Sequence, residues 1–205
     1  MILYSGPLSL FTGKVRIGLA EKGIAYECVS VPFARAGYQP KHPQVLEVNP
    51  KAQVPVLVDG DLAIYDSTII LEYLDDRHPE PPLLPRDSAP RARCRVLEAA
   101  ADEILFPHVY TLILEVFYKP DGHGRDEARV AEAKRGIAAH YASLETGLGA
   151  RRYLCDQLSV ADIGYFMTSP SRPASAKGSA RGSRAYRRGT RGSSSARAFR
   201  ASSRA

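Results

Sequence analysis

Ser9 stands just ahead of a run of good helix formers, Val15 to Lys22, that stops at Gly23. A hydroxyl at that place has two uses: it can accept an N–H from the first turn, and it can donate to a negative charge drawn to the helix's positive end. Asp66-Ser67 repeats the arrangement before a second stripe with apolar residues at 69, 70, 73 and 74, where unpaired backbone N–H groups form an anion site. Both pairs serve equally as plain caps. The five histidines, His42, His78, His108, His123 and His140, share no metal-ligand spacing. Cys28, Cys94 and Cys155 are odd in number and widely spaced, and no Cys-x-x-Cys occurs. That pattern argues against a disulfide framework, a zinc site and thioredoxin-type exchange, and it fits a reducing, cytoplasmic location.

Hydrophobic pattern supplies the scaffold for these residues. Ile2 to Tyr4 reads as a strand, Val15 to Lys22 as a helix and Tyr26 to Val31 as a second strand, which makes a parallel βαβ unit. Pro40 to Val48 reads as loop and a short helix. Val54 to Asp59 and Leu62 to Tyr65 are strands joined by the hairpin signal Gly60-Asp61, and Asp66 to Arg77 is helical. The order βαβ then ββα predicts an α/β thioredoxin-like domain over residues 1–78. Pro79, Pro81, Pro82 and Pro85 mark a linker over 79–88, and an all-helical domain occupies 89–167. In the latter, Leu97, Ala101, Ile104, His108 and Leu112 form one stripe, and Val130, Ala133, Ile137, Tyr141, Leu144 and Leu148 another. Pro107 is expected to kink the first. Ser159-Val160-Ala161-Asp162 is a capping box, with Leu158 and Ile163 as its hydrophobic staple, and commits the chain to a buried helix.

The 205 residues carry 44% hydrophobic and 24% charged residues, which is ordinary globular usage. Apolar runs are no longer than four or five residues, as in Pro55 to Val58, and the N-terminus lacks a basic region followed by a long apolar one. Neither a membrane span nor a secretory signal is expected. The net charge of +6 is uneven: residues 168–205 hold nine Arg, one Lys and no acid, leaving 18 basic against 22 acidic residues, or −4, before them. With ten Ser, eight Ala and four Gly, that segment is expected to be a disordered basic tail. Its onset breaks off the helix announced at Ser159, so the all-helical domain reads as incomplete. Since Arg, Ser, Ala, Gly and Pro share GC-rich codons, we read the tail as a frame shift near Met167 to Pro170 rather than a nucleic-acid-binding arm. A chain so truncated is expected to be poorly soluble or weakly active.

Four segments together carry a family resemblance: LYSGPLSLFTGKVRIGLAEKGIAYE, NPKAQVPVLVDG, YDSTIILEYLDDRHP and LCDQLSVADIGYF. Over residues 1–167 the chain resembles the cytosolic glutathione transferases of bacterial Ser- or Cys-type. The resemblance implies that Ser9 takes the catalytic place, donating to the glutathione sulfur, whose thiolate is the nucleophile. It further implies that Ser67 holds the γ-glutamyl carboxylate and Asp66 the ammonium, and that Pro55 is cis, freeing the backbone of Val54 to pair with the cysteinyl part. The resemblance also implies that Gln53 and Lys41 reach the glycine carboxylate. Tyr4 stands where Tyr-type classes keep a tyrosine, and Phe106, His108 and Tyr110 are candidates for the electrophile pocket. The Ser-Ser-Cys motif of the maleyl isomerase class reads Ser9-Leu10-Phe11 here, a departure from that class.

The implied function is a glutathione transferase attacking a hydrophobic electrophile, in the manner of detoxification enzymes, with glutathione as co-substrate, no metal and a homodimeric assembly. The alternative is a non-catalytic transferase-like regulator binding transcription machinery. Retention of Ser9, Gln53, Asp66 and Ser67 together favours the enzyme.

Overall fold

The computed structural model describes residues 1–34, 37–38, 41–119 and 122–169. The basic tail expected from 168 lies outside the described residues from position 170 onward. The chain divides into two compact units, Met1–Leu84 and one beginning at Pro85.

In the first unit β1 (Ile2–Ser5) leads through a loop to α1 (Leu10–Glu21), and β2 (Glu27–Ser30) returns parallel to β1 with Ile2 opposite Glu27 and Ser5 opposite Ser30. Gly23 follows α1 with φ +66°, a left-handed conformation that glycine adopts without steric cost. A small antiparallel hairpin, β3 (Phe33–Ala34) with β4 (Gly37–Tyr38), follows β2, in a stretch to which the sequence pattern assigns no element. Next come α2 (Pro43–Val48), the hairpin of β5 (Val56–Asp59) and β6 (Leu62–Tyr65), and α3 (Ser67–Arg77). The sheet order is β2-β1-β5-β6, with β1–β5 and β5–β6 antiparallel. This is a thioredoxin-like mixed sheet.

Strand alternation decides which side chains meet which helices. Leu3 and Leu57 point to one face and join Val15 and Leu19 of α1 and Ile70 and Leu74 of α3, all fully buried. Their neighbours Tyr4 and Val56 point the other way and pack with Val31, Val45 of α2 and Val54. Each such side chain contributes about 1.5–3 kcal/mol on burial. The helices α1 and α3 approach closely at Gly18, where an added Cβ would lie 2.3 Å from Leu71 Cδ2. One turn further along α1, Lys22 Nζ donates to Asp75 Oδ1 at 2.8 Å and to the carbonyls of His78 and Pro81, and Asp75 also accepts the Leu83 N–H. Leu83 and Leu84 are buried, so the first part of the proline-rich stretch packs with this unit.

In the second unit α4 (Ser88–Ala100) and α5 (Phe106–Leu112) are separated by a π-helical turn, Ala101–Leu105, and a second one, Ile113–Phe117, follows α5. These turns correct the first predicted stripe. The Phe106 N–H reaches back five residues to the Ala101 carbonyl, and the Tyr118 N–H does the same to Ile113. Such a turn holds an extra residue and rotates the helix beyond it; the first precedes Pro107, whose ring cannot sit against the carbonyl four residues back. The buried set is Cys94, Glu98, Ala101, Leu105 and Val109, while Ile104 is 55% exposed and Leu97, His108 and Leu112 are half-buried. The stripe on α6 (Glu127–Leu148) is as the pattern predicts, with Val130, Ala133, Ile137, Tyr141, Leu144 and Leu148 all buried. α7 (Val160–Thr168) is buried along nearly its whole length, and Asp162 accepts the Ser159 N–H at 3.0 Å, the Ser159 hydroxyl at 2.7 Å and the Leu154 N–H at 3.0 Å. No helix among the described residues is long and apolar enough to cross a membrane.

Candidate functional site

Ladder register brings the candidate residues together. Val56 pairs with Tyr4 on one side and with Tyr65 on the other. The chain leaves β1 after Ser5, enters β5 at Val56 and leaves β6 after Tyr65, so all three connections sit at one end of the sheet. Ser9, the turn Gln53-Val54-Pro55 and Asp66-Ser67 are carried on those connections. β2 runs parallel to β1 and ends at the same level, and the His42 ring lies 4.6 Å from that of Tyr4, which holds the start of α2 there too.

Ser9 is the N-cap of α1, its backbone extended and its Oγ accepting the Thr12 N–H at 3.1 Å. That bond does not use the hydroxyl proton, which remains able to donate beside the positive end of a twelve-residue helix. Thr12 is fully buried, and its Oγ1 accepts the Gly6 N–H at 3.4 Å, tying the loop to the helix it enters. Asp66 caps α3, accepting the Thr68 N–H at 3.0 Å, with φ +76°. A non-glycine residue there is held in a sparsely populated conformation, of the kind that clusters at ligand clamps. Ser67, next to it, is buried.

The Val54–Pro55 peptide is cis, and Val54 lies just outside the β5 ladder. The turn before it is built by Asn49, whose Nδ2 donates to the Gln53 carbonyl at 2.7 Å and whose Oδ1 accepts the Lys51 N–H at 3.0 Å. Gln53 itself is exposed. Lys41 is half-buried immediately before His42, whose Nδ1 accepts the Gln44 N–H and so caps α2. Tyr4, by contrast, is a core residue, 9% exposed among valines.

Sequence reasoning passed over Thr12, His42 and Asn49. Two of the three had a signal: His42-Pro43 is a cap followed by proline at the first helical position, and Asn49-Pro50 initiates a turn. Thr12 had none, because a helix-interior threonine reads as filler.

The three electrophile-pocket candidates lie in the second unit. Phe106 and Tyr110 lie 5.7 Å apart by ring centroid, and Tyr110 is 48% exposed. His108 packs against Gly136 of α6, where an added Cβ would fall 2.4 Å from its Nε2. Nearby His140 Nε2 lies 2.9 Å from the Tyr165 hydroxyl. Burial, and then the neighbouring His108, hold His140 below the ordinary histidine value, and burial pushes Tyr165 up to about 12. Among the described residues no group of three or more His, Cys, Asp or Glu is placed to hold a metal ion.

Residues 3–82 match the family model for the glutathione S-transferase N-terminal domain. Glutathione S-transferase 1 of Dianthus caryophyllus is 34% identical over 168 residues, covering 80% of this chain and 73% of that one. The solved glutathione S-transferase of Methylobacterium radiotolerans, in complex with glutathione sulfonate, superposes with a TM-score of 0.66 at 31% identity, covering 82% of this chain and 76% of that one. The chain belongs to the glutathione S-transferase family. A stringent starvation protein A homolog of Coxiella burnetii is 46% identical over 99 residues, 47% of this chain and 44% of its own length. This chain thus spans about half the length of the curated stringent starvation relatives it matches.

Proposed function

We propose that this chain is a glutathione transferase that binds glutathione across this end of the sheet and readies its sulfur for attack on a hydrophobic electrophile. The carrying observation is the convergence of two helix N-caps and the Val54 turn at one level of the sheet, set by the pairing of Val56 with Tyr4 and Tyr65. Glutathione supplies the nucleophilic thiolate when bound. Ser9 donates its free hydroxyl proton to that sulfur, a hydrogen bond to a charged group worth about 1.5–3 kcal/mol. Asp66 takes the γ-glutamyl ammonium and Ser67 its carboxylate, at the N-terminus of α3. The Val54 backbone pairs with the cysteinyl unit as an added strand, Gln53 donates to the glycine carboxylate and Lys41 balances its charge. The chemistry of these side chains supports the reading: Lys41, Ser67 and a helix N-terminus suit carboxylates, and Asp66 suits an ammonium.

On this reading the protein works in the cytoplasm as a homodimer, with a detoxifying role. Retention on immobilised glutathione and conjugation of an activated aryl halide test it; a folded chain that neither binds nor conjugates would sink it. The likeness to stringent starvation protein A homologs favours a second reading, a non-catalytic regulator of transcription machinery. That reading is preferred if the folded chain lacks conjugation and co-purifies with components of the transcription machinery.

A further inference from the structure

Two helices of this chain open on a serine cap, and they use the side chain three residues further on differently. At α7 the Ser159 N–H returns to that side chain, Asp162, at 3.0 Å, which closes a capping box. At α1 the Ser9 N–H goes backward instead, to the Gly6 carbonyl at 3.2 Å. Thr12, in the place that Asp162 holds on α7, reaches past the cap and accepts the Gly6 N–H on its Oγ1 at 3.4 Å. With the Thr12 N–H on Ser9 Oγ at 3.1 Å, the three residues form a closed ring in which each donates one N–H and each accepts one.

One side of the ring is anchored to the sheet. Gly6 is buried directly after Ser5, which pairs with Ser30 in the ladder and accepts the Val31 N–H at 2.8 Å. Thr12 is fully buried. Between them Pro7 and Leu8 are exposed and Ser9 is half-buried, so apolar burial does little to fix the loop. The Thr12 hydroxyl is thus a side-chain tie from the first turn of α1 to the end of β1, and the residue it brackets is Ser9.

We propose that Thr12 is a positioning residue for glutathione activation: by holding the Gly6 N–H it sets where the Ser9 hydroxyl stands against the end of the sheet. The inference rests on the reading of Ser9 as donor to the sulfur. Thr12 acts through Ser9, and no proton passes through it. A hydrogen bond to a thiolate weakens as its donor moves off line, and a displacement of about 1 Å at a reacting group can cost up to about a hundredfold in rate. Thr12→Val isolates that effect. It keeps the side chain's shape and the residue 12 N–H that Ser9 Oγ accepts, and it removes the acceptor for Gly6.

The test is the thiolate absorbance of glutathione bound at saturation, titrated against pH in the unsubstituted chain, Thr12→Val, Thr12→Ser, Ser9→Ala and the Ser9→Ala/Thr12→Val double variant. Thr12→Val should move the ionisation of the bound thiol to higher pH, with conjugation near neutrality down about three- to tenfold. Glutathione affinity should stay within about twofold, and Thr12→Ser, which keeps the hydroxyl, should titrate as the unsubstituted chain does. In the Ser9→Ala background Thr12→Val should add no further shift. A role in stability alone lowers the folded fraction and so the amplitude of the titration, and leaves its midpoint in place. Where Thr12→Val yields no folded protein, Thr12→Ala, which also lacks the acceptor, gives the same readout. A midpoint that Ser9→Ala moves and Thr12→Val does not would overturn this inference alone. A midpoint unmoved by Ser9→Ala would overturn the reading of Ser9 and this inference with it.

Discussion

Ser9 Oγ accepts the Thr12 N–H at 3.1 Å, which commits an oxygen lone pair to the helix and leaves the hydroxyl proton to point elsewhere. One side chain therefore has a structural partner and a chemical one, and substitution can separate them. Ser9→Ala removes both, costing about 1 kcal/mol in stability and about ten- to a thousandfold in conjugation rate. Ser9→Gly keeps most of the cap's stability, within a few tenths of a kcal/mol, yet should lose activity as Ser9→Ala does. Tyr4→Phe should leave the rate within about twofold, since a lost core hydroxyl acts on stability. Steady-state rates beside urea midpoints give all three numbers.

Lys22 and Asp75 form an ion pair whose side chains are 0% and 5% exposed. Lys22→Ala strands the carboxylate with the Leu83 N–H as its remaining hydrogen-bond donor and should cost about 3–5 kcal/mol, read from equilibrium urea unfolding. A loss under about 1 kcal/mol would mean water reaches Asp75.

Gly136 leaves room for the His108 imidazole, so Gly136→Ala should destabilise by about 1–3 kcal/mol through overpacking. In a His108→Ala background most of that penalty should vanish. A double-mutant cycle showing additivity would place the cost outside the His108 contact.

Glu115 is buried and accepts from Lys119 Nζ at 2.6 Å, the Asp126 N–H at 3.0 Å and Arg129 at 3.2 Å, joining the end of the second π-helical turn to the start of α6. The Lys119 hydrogen bond, then that of the Asp126 N–H, holds its carboxyl below the ordinary value. The unfolded chain thus binds the proton more readily. The stabilisation is complete above about pH 4.5 and is lost as pH falls toward the depressed value. Glu115→Gln should flatten the acid limb of a stability-against-pH curve and leave its slope near neutrality alone.

The first unit was legible because local signals agree there: Gly23 and Gly60 mark turns, alternation separates Leu3 from Tyr4, and Asp66 caps the stripe beyond it. The register that gathers Ser9, Val54 and Asp66 was not legible, because strand pairing is a long-range choice that single segments do not encode. On α4 and α5 a regular 3.6-residue repeat predicts burial at Ile104, and the π-helical turns move it to Leu105.

Whether Ser9 holds the glutathione sulfur as thiolate can be read from the ultraviolet thiolate absorbance of glutathione bound to the protein, titrated against pH in the unsubstituted chain and in Ser9→Ala. The bound thiol should ionise at a lower pH than free glutathione, and Ser9→Ala should return it toward the free value while binding persists. Identical titrations in both proteins, at whatever pH, would remove Ser9 from the catalytic place.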